Sequence, residues 1–248
     1  MNFYNIDNSK SKIEYFIPNT SILSVLVLYV IRLLKNNLNL NFKLMRISLF
    51  TIFLFSHISI FAQTAIDIDG NHYTTINIGS QTWMSQNLNV SHFSNGDLIP
   101  EATTMSEWQS AWKNHRPAFC YPQNLKNFGS SYGKLYNWYA VNDPRGLAPL
   151  NYKIPNIWDW KYLINYFNNE GLIGNKIKNT GFDNPRAGYR DILTGFKGFD
   201  QYSSWWTSDI SDNNNAWSIL IGDNYGPKLQ KQGGVFGNGI SVRCLLSK

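Results

Sequence analysis

Thirteen residues, Trp205 to Trp217, read WWTSDISDNNNAW. Two adjacent Trp lead into Asp209, Asp212, Asn213, Asn214 and Asn215, and a third Trp closes the stretch. Clustered side-chain oxygens are the ligands a hard cation such as calcium takes, and indole rings beside them are the surface on which a sugar stacks. The same residue types build turns, because Asp and Asn hydrogen-bond the backbone two residues on. The expectation is a hairpin loop from Asp209 to Asn215, its exposed tip the one candidate for calcium or ligand. Neighbours along a strand face opposite sides, so at most one of Trp205 and Trp206 is free to meet a ligand. Trp217 opens the returning strand and is expected in the core.

Other chemistry finds little support. Gly129-Ser130-Ser131-Tyr132-Gly133 has the form G-x-S-x-G, but that nucleophile turn needs a later His, and the last His is His115. His72, His92 and His115 have no ligand spacing, and no CxxC exists for zinc. A dinucleotide site is not indicated by Gly233 to Gly239, which lacks the fingerprint and reads as a hairpin loop. Asp67, Asp69 and Asn71 resemble the start of an EF-hand loop, but the positions that need Gly and Glu hold His72 and Ile78. They read as a turn. No pair of carboxylates is singled out for glycosidase-type acid and base work.

The elements that would carry such groups are short. Thr104-Met105-Ser106-Glu107 is a capping box that opens a helix with Trp108 and Trp112 one turn apart. Asn156 can cap a second helix, with Asp159 at its third position and Gly171 at its end. Ile157, Trp160, Leu163, Ile164 and Phe167 share one face of it. Turns at Asp69-Gly70-Asn71 and Gly79-Ser80 punctuate strands, and a Gly/Ser turn precedes GKLYNWYAV. GKLYNWYAV, SSWWTSDI, AWSILIG, KLQKQ and ISVRCLLS read as strands. The class is α+β: two helices on short, loop-connected, mainly antiparallel strands.

The chain is not uniform. Residues 1–44 hold no Trp and no Gly and read as upstream or disordered sequence. Residues 45–62 have the parts of an export signal: Lys43 and Arg46, an apolar run from Ile47 to Phe55, and Ala62 before Gln63. The rival reading, a membrane anchor, has only the apolar stretch 21–31, short of the roughly 20 residues a bilayer needs. Gln63, not Cys, stands directly after Ala62, so lipid attachment at this boundary is not expected. Residues 63–248 form one domain. The net charge of +6 sits largely in the leader, since residues 1–62 carry six basic and two acidic side chains. The remainder has 16 basic and 14 acidic, which argues against a nucleic-acid partner. Nor is a membrane span expected there. Two Cys, Cys120 and Cys244, in an exported chain suggest one disulfide.

Residues 64–248 resemble the Fibrobacter succinogenes major paralogous domain. The resemblance rests on WMSQNLN (Trp83 to Asn89), YGKLYNWYAVNDPRGLAP (Tyr132 to Pro149), KIPNIWDWKYL, AGYRD, WWTSD and SVRC in that order. It implies exported or surface proteins of Bacteroidetes-type bacteria, with no established activity, and a fold distantly like that of C-type lectins. The Cys in Ala118-Phe119-Cys120-Tyr121, with Ala148 where many members carry Cys, implies a Cys120–Cys244 bond. Calcium-dependent sugar binding of the lectin kind is not implied, since Ile154-Pro155-Asn156 lacks the acid and no W-N-D occurs.

The functional expectation is a secreted or surface binding domain without catalysis, its ligand a glycan or a protein. The alternatives are a hydrolase with an unrecognised carboxylate pair and a purely structural surface protein.

Overall fold

A computed structural model describes residues 32, 64–171, 180–182, 185–222, 225–230 and 235–247. The chain divides into two units, Met1–Ile60 and Phe61–Lys248. The sheets and the capped helices belong to the second. Apart from residue 32, the expected upstream segment and export signal lie outside the described residues, as do Gly233 and Gly234.

Both expected helices form, each for the reason its sequence carries. In α1 (Met105–Lys113) the Thr104 hydroxyl accepts from the Glu107 amide at 3.1 Å, and the Glu107 carboxylate accepts from the Thr104 amide at 2.9 Å. These reciprocal bonds satisfy donors that a bare helix start leaves open.

Further along the chain come two one-turn helices, α2 (Gly129–Tyr132) and α3 (Trp138–Val141). The second long helix, α4 (Ile157–Asn169), is capped by Asn156, whose Oδ1 accepts from the Trp158 and Asp159 amides at 2.9 Å each. Its face of Trp160, Leu163 and Phe167 is buried. Gly171, at φ +64, follows the last turn and donates its amide to the Asn168 carbonyl.

Strand β1 (Ala65–Ile66) pairs antiparallel with β2 (His72–Tyr73) across the Asp67 to Asn71 turn. Strand β3 (Thr75–Ile78) turns through Gly79-Ser80 into β4 (Gln81–Met84). The Phe119–Cys120 strand, β5, pairs with β6 (Leu135–Tyr136). Strand β7 is Tyr152–Lys153, and β8 (Tyr189–Asp191) pairs with β9 (Gly195–Lys197). A meander of β10 (Tyr202–Asp212), β11 (Asn215–Gly222) and β12 (Tyr225–Gln230) forms the longest sheet. The last strand, β13 (Leu245–Leu246), inserts between β4 and β7, giving the order β3-β4-β13-β7. The class is thus α+β with several small antiparallel sheets.

Three expectations about local structure need correction. GKLYNWYAV is a strand only at Leu135–Tyr136. The Asn137 side chain then accepts from the Ala140 amide at 3.0 Å and starts α3, so a cap ends the strand. The Gly/Ser turn before it is α2, closed by Gly133 at φ +71. A Cβ on Gly133 would lie 2.7 Å from Asn87 Cβ and 2.8 Å from the Leu88 carbonyl, so only glycine permits this approach. ISVRCLLS is regular only at Leu245–Leu246. Its earlier part runs extended through single bridges, Ile240 with Tyr136 and Ser241 with Trp205.

The core has two large apolar clusters with β10 between them. Trp206 packs with Phe93, Tyr136, Trp138 and Val242, and Trp205 with Trp83, Trp160, Phe167 and Phe182. Both are fully buried, so neither is free to meet a ligand, within the expected limit of at most one. Opposite faces of this strand are indeed used, but both are covered. Trp217 is the reverse case: its place at the start of β11 predicts a core residue, and it is half-buried.

Arg243 lies in this interior with no exposure. Its Nη2 and Nε donate to Asn87 Oδ1 at 2.7 and 3.2 Å, and its Nη1 donates to the Phe182 carbonyl. The guanidinium sits 4.9 Å from the ring centroids of both Phe182 and Trp205. Asn87 Oδ1 also accepts from the Trp205 indole at 2.8 Å, and Asn87 Nδ2 donates to the Tyr132 carbonyl at 3.0 Å.

Cys120 and Cys244 are free, buried thiols, so the expected disulfide is absent. Cys120 packs with Trp108, Ala111 and Leu135, whereas Cys244 belongs to the Trp206 cluster. Burial pushes the Cys120 thiol up to about 12 despite the Arg190 guanidinium beside it, and raises Cys244 as well. Both stay protonated and poorly nucleophilic at neutral pH.

This interior sets two measurable outcomes. Asn87→Leu keeps the side-chain volume but strands the Arg243 and Trp205 donors, and it is expected to cost on the order of 3 kcal/mol. A urea denaturation midpoint unchanged from wild type would contradict that. Unfolded in guanidinium without reductant, the chain should release two thiols to Ellman's reagent, and the native protein none. A titre of zero in the unfolded protein would restore the disulfide.

Candidate functional site

The Asp209 to Asn215 segment is a tight hairpin between β10 and β11, with Asp212 paired to Asn215. Asp212 Oδ1 accepts from the Asn214 amide at 3.0 Å and from Asn215 Nδ2 at 2.8 Å, the turn geometry its residue types favour. The Asn214 carbonyl accepts from the Phe236 amide, and Asn213 and Asn214 are exposed at the tip. Asp209 is not at that tip. Its Oδ2 accepts the Ile157 amide at 2.6 Å, an open donor at the start of α4. The structure therefore brings Asp212, Asn214 and Asn215 together and sends Asp209 to a helix. Among the described residues no group of three or more His, Cys, Asp or Glu is arranged to hold a metal ion.

The Asp209–Ile157 bond has a second effect. It joins β10 to the first turn of α4, and the next residue on each side is exposed and apolar: Trp158 at 70% and Ile210 at 57%. Lys161, one turn along, places its ammonium 4.2 Å from the Trp158 ring centroid. Six of the nine Trp are buried, so Trp158 stands apart.

A denser polar cluster lies around Lys134, between α2 and β6. Lys134 is 3% exposed. Its Nζ donates to the Asn89 carbonyl at 2.6 Å and to Ser91 Oγ at 2.7 Å, and it lies 4.8 and 5.3 Å from the centroids of Phe119 and Tyr121. Asp69, from the β1–β2 turn, meets His92 Nδ1 at 2.5 Å through one oxygen and accepts the Ser91 amide at 2.5 Å through the other. Asp67 accepts from the Asn71 amide and from the Tyr73 hydroxyl, the latter at 2.5 Å.

Burial drives the Lys134 ammonium down to about 8, against the pull of Asp69, Asp67 and Glu101. Burial alone would raise Asp69, but the Ser91 amide, His92 and Lys134 outweigh it and hold its carboxyl below the ordinary value. Asp69, His92 and Lys134 are distant in sequence. The only sequence signals are the acids of a hairpin turn and a Lys in the YGKLYNW run.

Two carboxylates do approach one another, Asp97 and Asp143. Arg145 bridges them, with Nε and Nη2 each 2.8 Å from Asp143 and Nη1 3.1 Å from Asp97. Asp143 is lowered chiefly by that guanidinium, and Asp97 by Asn95 and then Arg145. Neither is poised as a proton donor near neutral pH.

Residues 76–245 match the family described as Fibrobacter succinogenes major domain. No curated protein and no solved structure matches the chain. Among the described residues no helix is long and apolar enough to cross a membrane.

The Lys134 environment sets a pH signature. The folded ammonium titrates near 8 and the unfolded one near 10.5, so between these values the unfolded chain binds more protons and stability rises with pH. Relative to Lys134→Met, the wild type should gain on the order of 2 kcal/mol from pH 7.5 to pH 10, at about 1.4 kcal/mol per unit. Parallel stability–pH curves for the two proteins would contradict it.

Proposed function

We propose a binding role for this chain, which belongs to the Fibrobacter succinogenes major domain family: an exported or cell-surface domain that holds a glycan or a protein. The observation that carries the reading is Trp158. The fold buries most of its indoles, yet this one stands 70% exposed in the first turn of α4, next in sequence to Ile157, whose amide the Asp209 carboxylate accepts. An indole offers a large apolar face with a polar edge and loses little freedom on binding, which is why Trp recurs among the residues that dominate recognition. Lys161 lies against the ring, and most of its surface remains open to solvent.

Export rests on the signal-like run of residues 45–62. A lectin-like architecture is the finer form of the fold reading. Its support is the pair of capped helices, the short antiparallel sheets, and the placement of the last strand beside an early one in a single sheet.

The full chain, screened on a glycan array and by pull-down with intact surface extracts, should retain a ligand. Trp158→Ala should lower that retention at least tenfold with an unchanged melting temperature, because the side chain contributes little to the core. Blank screens at high protein concentration, or full retention by Trp158→Ala, would remove this reading.

A further inference from the structure

The strongest cluster outside the Trp158 surface is the one around Lys134, and its most telling contact is with Ser91. We propose that Ser91 is an activated nucleophile and Lys134 its general base, together able to take the acyl group of a neutral carboxylic ester. This goes beyond the binding reading and does not depend on it.

The geometry supplies what such a pair requires. Lys134 Nζ and Ser91 Oγ are 2.7 Å apart, within reach for direct proton transfer. Ser91 is held on both sides of its backbone: its amide donates to Asp69, and its carbonyl accepts the Ile99 amide at 2.8 Å. Ser91 is a partly exposed residue, whereas Lys134 is buried, with its amine near the Phe119 and Tyr121 rings. The serine thus lies nearer the surface than its base, whose amine is desolvated. Desolvation is what makes a lysine a base near neutral pH. His is not needed in such an arrangement, since serine–lysine pairs are an alternative to the His-based triad.

The charged and titratable groups around Lys134 are Asp67 and Asp69 on the β1–β2 turn, His92 beside Ser91, and Glu101, which Lys126 pairs at 3.3 Å. With the amine neutral, this surround is dominated by carboxylates. It would repel an anionic acyl donor, hence the assignment to neutral esters.

The proposed step balances. Neutral Lys134 takes the Ser91 hydroxyl proton as Oγ bonds to the ester carbonyl carbon. The bond from that carbon to the alcohol oxygen breaks, and the leaving alkoxide receives the proton from the Lys134 ammonium. Water then attacks the acyl-serine with Lys134 again as base, releasing the carboxylic acid and restoring the hydroxyl.

A fluorophosphonate probe on the full chain tests the assignment, since Ser91 Oγ would displace fluoride and form a bond to phosphorus. Peptide mapping should place the label on Ser91. The labelling rate should rise about tenfold from pH 7 to pH 9 and then level off, as the neutral fraction of the amine saturates. Ser91→Ala should abolish the label while keeping any Trp158-dependent retention, so failure here is distinguishable from failure of the binding reading. Lys134→Met, if its melting curve shows a folded protein, should lose the label as well. Should that variant unfold, the wild-type pH profile decides.

Absence of label on Ser91 would overturn the proposal. So would a rate that climbs without levelling, which is plain hydroxide dependence. A midpoint below pH 7 would give the role of base to another group and overturn it equally.

Discussion

The fold depends on one stretch of strand, Ser203–Thr207, being buried on both of its faces. β10 delivers Trp205 to one apolar cluster and Trp206 to the other, so the two clusters cannot be assembled independently. Over Ser203–Thr207 the strand has no solvated side on which to place its polar neighbours, and its indole nitrogens must find partners inside. Trp206 Nε1 donates to the Tyr136 carbonyl at 2.8 Å, and Trp205 Nε1 to Asn87. Asn87 is thereby shared between an indole and the Arg243 guanidinium. Segments more than 150 positions apart in the sequence are tied to a single oxygen atom. A cation is tolerated there because the aromatic rings of Phe182 and Trp205 lie against it and carbonyl oxygens accept its protons.

Local signals are legible in the sequence, and long-range ones are not. The capping boxes at Thr104 and Asn156 and the apolar face of α4 depend on residues within a few positions of one another, so they can be read directly. The turns at Asp67 to Asn71, Gly79-Ser80 and Asn213-Asn214 are of the same kind. The misreadings mostly involve a choice made by something distant. GKLYNWYAV has the composition of a strand, but the Asn137 cap converts half of it to helix. Trp205 and Trp206 alternate as a strand requires, which allows at most one of them to be free, yet alternation does not tell that both faces are covered. Asp209 looks like a loop-tip ligand until a helix start 52 positions upstream claims it. Compartment and resemblance pair Cys120 with Cys244, while packing puts them in separate clusters.

The same distinction explains why the polar cluster at Lys134 is hidden in the sequence. Each member has an ordinary local explanation: Asp69 in a turn, Ser91 and His92 in an extended segment, and Lys134 at the start of a strand. Their meaning arises only when the fold brings those segments together and excludes water from the amine. Burial changes the chemistry of a lysine far more than any neighbour in sequence does.

The insertion of β13 between β4 and β7 has a consequence for how the chain comes to be folded. Leu245 pairs with Trp83, so the four-stranded sheet is closed by residues at opposite ends of the domain. Contacts of such long sequence separation are slow to form, because loop entropy must be lost before they repay it. A chain emerging from the ribosome has no complete core until Arg243 to Leu246 are free. Until then Trp83 has no Leu245 to pair with, and the four-stranded sheet stays open between β4 and β7.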